Sequence, residues 1–183
     1  PERPTILKMR VMVGKHQVFR MDYEKRSDVG VEMERRILDR IEERLDDFDL
    51  VVLAGYLRLV PEGIVRRYQG RILNIHPSLL PSFGGKGMYG ARIHQAVLDA
   101  GVRMTGVTVH LVDARFDEGP ILAQWPVPVE PGDDAPTLGR RVLAVEHRLL
   151  PVVVDHVARS LAAGRTPAPL PVSALSSPEL TFP

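Results

Sequence analysis

Apolar and polar residues alternate along this chain with two different periods, which predict helices and strands in turn. Over residues 32–47, apolar side chains recur every three to four positions between charged ones, as in an amphipathic helix. A near-continuous apolar run over residues 49–55 follows. Such a run is typical of a parallel strand that is buried on both faces.

The same patterns predict the remaining elements. Further strands are predicted over residues 5–13, 71–75, 105–113 and 120–129. Further helices are predicted over residues 61–68, 91–100 and 136–163. Pro151 lies inside the last helix and should kink or divide it, because proline removes a backbone hydrogen bond. Charged residues dominate residues 19–30, which predicts a loop or a solvated surface.

Strands that alternate with helices predict an α/β fold with a mostly parallel sheet flanked by helices. The last two strands have little chain between them, which favours an antiparallel pair and therefore a mixed sheet. We predict one domain over residues 1–165, of which residues 1–36 are divergent or truncated. Residues 166–183 contain several prolines and few charges, and we expect a poorly ordered tail there.

Composition narrows the classes of function. Of 183 residues, 44% are hydrophobic and 26% charged, as in ordinary globular proteins, and the formal net charge of +1 gives no electrostatic footprint for nucleic acid. No apolar stretch approaches the roughly 18 residues that a membrane span needs. The chain has no cysteine, which excludes thiolate chemistry and fits a reducing compartment. We therefore expect no nucleic acid or membrane partner. We also expect a cytoplasmic protein that is a monomer or homodimer.

The candidate chemistry lies at the end of the strand predicted over residues 71–75. Asn74 and His76 are two residues apart, so their side chains point to the same side of a strand. Asp117, in a later polar loop, would favour the charged form of His76 and fix its ring. An imidazolium beside a carboxamide is a donor pair for an oxygen that becomes negative. This arrangement favours acyl-type transfer between two bound substrates.

Structural roles for the same residues stay open at this point. Asn74 could cap a turn, His76 could be a buried spacer, and Asp117 could be a turn former. His110 lies on the less apolar face of its strand, and we interpret it as structural. A metal site made of His76, His110 and Asp117 would lack the ligand spacing of known metal motifs, so we expect no metal.

Four segments, in order along the chain, together resemble the formyltransferase family. They are NIHPSLLP (74–81), TGVTVH (105–110), DEGPILAQ (117–124) and EH (146–147). The similarity runs from about Ile37 to about Ala163, roughly two-thirds of the chain. It implies a Rossmann-like fold and transfer of a formyl group from 10-formyltetrahydrofolate, used as a co-substrate, to the amine of glycinamide ribonucleotide. That reaction belongs to de novo purine synthesis.

The resemblance also implies a role for each matching residue. Asn74 and His76 would hold the formyl oxygen as the tetrahedral intermediate forms, while Asp117 would keep His76 charged and help to relay a proton. Glu146 would hydrogen-bond the ribose hydroxyls, although on the residues alone it could equally be a solvated helix edge. The residues implied to bind the folate are Leu57, Arg58, Leu59, Val60 and Asn74.

The N-terminal part departs from the family pattern. Members of the family begin with a strand, a glycine- and serine-rich loop that binds the substrate phosphate, and a helix. The residues before Ile37 contain neither this loop nor a clear strand–helix–strand, so we predict that the N-terminal strand–loop–helix is incomplete. Two alternative functions within the family are a formyltetrahydrofolate hydrolase and a truncated, non-catalytic folate-binding member.

Overall fold

The computed structural model describes residues 7–13, 16–23, 31–44, 47–56, 58–171 and 173. The chain divides into two compact units, residues 1–45 and residues 46–183. The boundary predicted from the sequence at residue 165 stays a prediction. Among the described residues, no helix is both long and apolar enough to cross a bilayer.

The first unit contains a β-hairpin and a helix. β1 (Leu7–Val13) pairs antiparallel with β2 (His16–Tyr23), and α1 spans Val31–Arg44. The loop predicted over residues 19–30 is wrong for residues 19–23, which belong to β2, while the alternative of a solvated surface stays a prediction there. Apolar and polar residues alternate there with the two-residue period of a strand, which the high charge concealed. The rest of that predicted loop lies outside the described residues.

The second unit is built on one sheet. Its described strands are β3 (Val51–Leu53), β4 (Ile72–His76), β5 (Met104–Leu111) and β6 (Ile121–Pro128). They lie in the order β3-β4-β5-β6. β3 and β4 pair in parallel, whereas β5 runs antiparallel to both of its neighbours. Three of these four strands thus run in one direction, which confirms the mostly parallel sheet and the predicted reversed pair.

Three described helices accompany this sheet. They are α2 (Glu62–Arg67), α3 (Ala91–Asp99) and α4 (Ala135–Ala162). The buried side chains of α4 form an apolar stripe that packs against β5, β6 and α3, where it closes the core. The helix continues through Pro151, so the predicted division is wrong, while the alternative of a kink stays a prediction. The apolar residues on both sides of the proline keep their place in the core, which compensates for the lost hydrogen bond.

Two polar contacts fix the start of α4, which lines the site described below. The side chain of Asp134 caps the helix by accepting a hydrogen bond from the Thr137 amide at 2.8 Å. Both terminal nitrogens of Arg141 donate to the carboxylate of Asp133, at 2.7 and 2.8 Å. This paired geometry holds the first turns of the helix against the preceding loop.

The chain beyond α4 also contacts the sheet. Leu170 lies in the segment predicted to be a poorly ordered tail, yet its side chain is buried and its amide donates to the Leu122 carbonyl at 2.7 Å. Residues 172 and 174–183 of the predicted tail lie outside the described residues.

Candidate active site

Strand register brings the candidate residues together at the end of β4. Asn74 and His76 belong to the last three residues of that strand. The antiparallel pairing with β5 sets Asn74 opposite His110 and His76 opposite Thr108. Residues directly opposite in such a pair carry their side chains on the same face. Four polar side chains therefore share one end of the sheet.

Asp117 reaches this end of the sheet from the loop between β5 and β6. Its Oδ2 lies 3.6 Å from Nδ1 of His76, and its Oδ1 lies 3.7 Å from Nε2 of His110. The Gly85 amide donates to Oδ2 at 2.9 Å. The carboxylate thus faces both imidazole rings, at distances slightly too long for direct hydrogen bonds.

The backbone is unusual at the points that hold these groups. Phe83 and Asp117 both have a φ of 56°, in the left-handed region that side chains other than glycine rarely adopt. The Phe83 carbonyl accepts a hydrogen bond from Nε2 of His76 at 2.9 Å. Gly119 lets the loop approach β5, because a Cβ there would lie 1.8 Å from the Leu111 carbonyl oxygen. Strain is concentrated where two acceptors are placed against the His76 ring.

Opposing effects act on the charge of His76. Burial lowers its pKa below the ordinary value, and the nearby His110 ring also lowers it, while the Phe83 carbonyl and the charge of Asp117 raise it. Asp117 therefore favours the charged form, as expected, but burial outweighs it, and the ring is neutral at neutral pH. Since Nε2 donates to Phe83, the neutral ring presents Nδ1 to Asp117 as an acceptor. A proton taken up at Nδ1 would lie between ring and carboxylate.

Asp117 itself is held as a carboxylate. Burial raises its pKa. The adjacent His110 ring, the Gly85 amide and the charge of His76 together lower the pKa by more than burial raises it. The net pKa lies below the ordinary value, so the group is ionised at neutral pH.

Asn74, His76 and Asp117 line a cavity of about 830 Å³, and Glu146 of α4 lines it as well. Its apolar wall includes Ile75, Met88, Tyr89, Phe116, Leu143 and Leu150. The volume is within the range of about 300–1,000 Å³ typical of small-molecule sites. Burial raises the pKa of Glu146, and His147 opposes that shift. Among the described residues, no group of three or more histidine or acidic side chains could hold a metal ion.

The predicted folate segment lies partly away from this cavity. Leu57 is outside the described residues, and Arg58, Leu59 and Val60 do not line the cavity. Ala54, Gly55 and Tyr56, directly before them, do line it. Gly55 has a φ of 75°, so the chain turns sharply just after β3 ends. Strand and loop patterns in the sequence could not give the direction of this turn.

A buried hydroxyl holds the loop that follows β4. Thr108 donates from Oγ1 to the Ser78 carbonyl at 2.7 Å and accepts from the Leu80 amide at 3.0 Å. Gln124 donates to the same hydroxyl and to the Leu80 carbonyl, at 3.0 and 2.9 Å. This network fixes the chain that leads to Phe83. Sequence reasoning missed Thr108, although it alternates with His110 on one face of β5.

Replacing Thr108 with valine should destabilise the protein by on the order of 2 kcal/mol, because buried backbone groups lose their partner. Thr105 provides a matched control on the same strand: it is buried, and its hydroxyl has no hydrogen-bond partner among the described residues. Thr105→Val should be neutral or stabilising by up to about 1 kcal/mol. Urea unfolding of both variants measures the difference, and equal effects would contradict the assigned role of the network.

His94 of α3 also lines the cavity, and it makes the stability of the protein depend on pH. Its ring is buried, its Nδ1 has no partner among the described residues, and burial lowers its pKa from the ordinary 6.5. Between the folded pKa and 6.5 the unfolded state binds more protons. The contribution of this group to stability is therefore lost as pH falls below about 6.5.

His94→Gln, which removes the titrating ring, should make the free energy of unfolding fall less steeply between about pH 7 and about pH 5 than in the wild type. A slope should remain, because the pKa of His76 is lowered in the same direction. Denaturant unfolding at several pH values measures both slopes. Identical slopes for the variant and the wild type would show that His94 does not titrate as described.

A known protein family matches most of this sequence. The sequence profile of the family described as Formyl transferase matches residues 14–154. The matched part includes all of the cavity-lining residues named above and begins upstream of Ile37.

Several relatives are similar over the same part of the chain. Phosphoribosylglycinamide formyltransferase, chloroplastic, of Vigna unguiculata is 51% identical over 109 residues, 60% of this chain and 35% of that relative. Phosphoribosylglycinamide formyltransferase of Mycobacterium tuberculosis (strain H37Rv) is 50% identical over 113 residues, 60% of this chain and 49% of that relative. The chain thus spans about half, or less, of the length of these curated relatives.

A solved structure with a related sequence has the same fold. The crystal structure of phosphoribosylglycinamide formyltransferase from Brucella melitensis is 46% identical in sequence and superimposes with a TM-score of 0.58. The match covers 76% of this chain and 67% of that one. The fold of the matched part is therefore shared with a protein that carries that name.

Proposed function

This chain belongs to the formyl transferase family, and we propose that it transfers a formyl group from 10-formyltetrahydrofolate to the amine of glycinamide ribonucleotide. The product would be formylglycinamide ribonucleotide, an intermediate of de novo purine synthesis. The observation that carries the proposal is the convergence of Asn74, His76 and Asp117 on one cavity wall. The names of the relatives at about 50% identity support the choice of this reaction.

The reaction requires one bond to form and one to break at the formyl carbon. The substrate amine attacks that carbon, and the carbonyl electron pair moves to oxygen. An N–H of Asn74 would donate to the resulting oxyanion, while the neutral ring of His76 would take up at Nδ1 the proton that the amine loses, so that the imidazolium charge stabilises the oxyanion. The bond to N10 of the folate then breaks, and the proton lost by the amine passes to N10. Asp117 stabilises the imidazolium while this proton is in transit.

The cavity offers places for both substrates. Glu146 lies in a partly buried position from which a carboxyl group can accept hydrogen bonds from ribose hydroxyls. We place the pterin ring toward residues 54–60, where Ala54, Gly55 and Tyr56 line the cavity. The predicted folate contacts further along this segment remain Leu57, Arg58, Leu59 and Val60. An apolar wall with a few polar groups suits a flat heterocycle that has a hydrogen-bonding edge.

A single assay tests the proposal. The purified chain is mixed with 10-formyltetrahydrofolate, with and without glycinamide ribonucleotide, and loss of the formyl donor is followed together with appearance of the formylated amine. We expect loss of the donor only when the amine is present. Loss without the amine would indicate the hydrolase, and folate binding without turnover would indicate a non-catalytic member. Either of these results would contradict the proposal.

A further inference from the structure

We propose that His110 is a positioning residue: its ring fixes the direction in which the carboxamide of Asn74 faces the cavity. The inference rests on the proposed function, since it concerns the donor that would hold the formyl oxygen. It replaces the purely structural role that the sequence suggested for His110.

Contacts on both sides define the state of the His110 ring. The residue is 2% exposed, and Nδ1 of its ring lies 2.9 Å from the carbonyl oxygen of Leu111. A carbonyl oxygen only accepts hydrogen bonds, so Nδ1 must carry a proton. In the neutral ring this leaves Nε2 with a lone pair, which lies 3.1 Å from Nδ2 of Asn74 and 3.7 Å from Oδ1 of Asp117, the second distance being too long for a hydrogen bond. Nε2 is then an acceptor directed at the neighbouring strand.

The acceptor on His110 selects one orientation of Asn74. Nδ2 of Asn74 lies 3.1 Å from Nε2 of His110, across the pair in which these residues stand opposite each other. An amide N–H can donate to this lone pair, whereas the amide oxygen would set two acceptors against each other. Among the described residues, the Asn74 side chain has no other hydrogen-bond partner. His110 alone therefore distinguishes the two orientations within that part of the chain.

The selected orientation matters to the reaction. One N–H of Asn74 is used by His110, and the second N–H is left to donate to an oxygen in the cavity that Asn74 lines. A half-turn of the amide would exchange its nitrogen and oxygen and so disturb the donor geometry. Loss of one well-placed donor lowers kcat by roughly a hundredfold to a thousandfold. A misdirected donor should cause a smaller loss.

Two substitutions separate the two hydrogen bonds of the ring. His110→Asn keeps a donor near the position of Nδ1 but has no atom at the position of Nε2. His110→Gln places an amide oxygen near the position of Nε2, where it can accept from Asn74. We expect kcat to fall about tenfold to a hundredfold in His110→Asn, with KM for the formyl donor changed less than about threefold. His110→Gln should keep kcat within about threefold of the wild type.

Thermal unfolding of both variants accompanies the kinetics. A role limited to packing would lower activity in proportion to stability and would not favour glutamine over asparagine. Equal kcat values for the two variants, or losses that follow the unfolding midpoints, would overturn the proposal.

A second measurement does not depend on turnover. In the ¹H–¹⁵N spectrum, the side-chain amide of Asn74, assigned by its loss in Asn74→Asp, should show one proton shifted by the bond to His110. That shift should persist in His110→Gln and vanish in His110→Asn. The same spectrum in all three proteins would overturn the proposal. Inactivity of the wild type would contradict only the proposed function, because the spectrum tests the hydrogen bond by itself.

Discussion

Replacing Asp117 with asparagine is expected to lower kcat for formyl transfer by roughly a hundredfold to a thousandfold. The carboxylate is the acceptor that faces Nδ1 of His76, at 3.6 Å, and its charge raises the pKa of that ring against the effect of burial. Asparagine has nearly the same shape but no charge. The imidazolium that forms as the oxyanion develops would then lack its counter-ion.

A neighbouring acid provides the matched control for Asp117→Asn. Glu118 is exposed and pairs with Arg115 in the same loop, away from the cavity lining. Glu118→Gln should leave kcat within about twofold of the wild type, as is usual for an exposed ion pair. An NMR titration of His76 adds an independent check. Its pKa should fall further in Asp117→Asn, and an unchanged pKa would contradict the assigned interaction.

Replacing His76 with alanine should abolish or nearly abolish turnover, with a loss at least as large as that of Asp117→Asn. The ring is the group that takes up a proton beside the reacting carbon. Among the described residues, no other histidine contacts both the Phe83 carbonyl and the Asp117 carboxylate. Steady-state rates with both substrates measure the loss.

The control for His76→Ala is His156→Ala. His156 lies in the C-terminal half of α4 and does not line the cavity. That substitution should leave the rate unchanged. A wild-type rate in His76→Ala would remove the histidine from the mechanism.

Much of the second unit could be predicted from local patterns. The apolar stripe of α4 and the apolar run that becomes β3 are both visible in the sequence. The burial of β3 on both faces, which that run predicted, is wrong, because Val52 is exposed. Local patterns failed where tertiary packing decides the structure. The core contacts of α4 keep it continuous through Pro151, and pairing with β1 makes a strand of residues that read as a charged loop. Leu170 likewise is buried because of a contact with Leu122, far away in sequence.

Only the part of the candidate site that lies on a single strand could be predicted from the spacing of its residues. Asn74 and His76 follow from their spacing, while Asp117 and Glu146 came from the family resemblance as much as from chemistry. Thr108 and His110 gain their roles from the register between β4 and β5. A shift of that register by one residue would turn both side chains away, and the pattern of a single strand does not define it. The folate contacts expected from Arg58, Leu59 and Val60 stay a prediction.

The central claim is that His76 and Asp117 act as one unit on the same formyl group. It is tested most directly by the single-turnover rate of the double variant His76→Ala/Asp117→Asn, with enzyme in excess over the formyl donor so that small rates can be measured. Residues that act as a unit have strongly non-additive effects. We predict that the double variant transfers the formyl group no more slowly than the slower of the two single variants. A rate reduced by the product of the two single losses would show that the residues act independently and would contradict the claim.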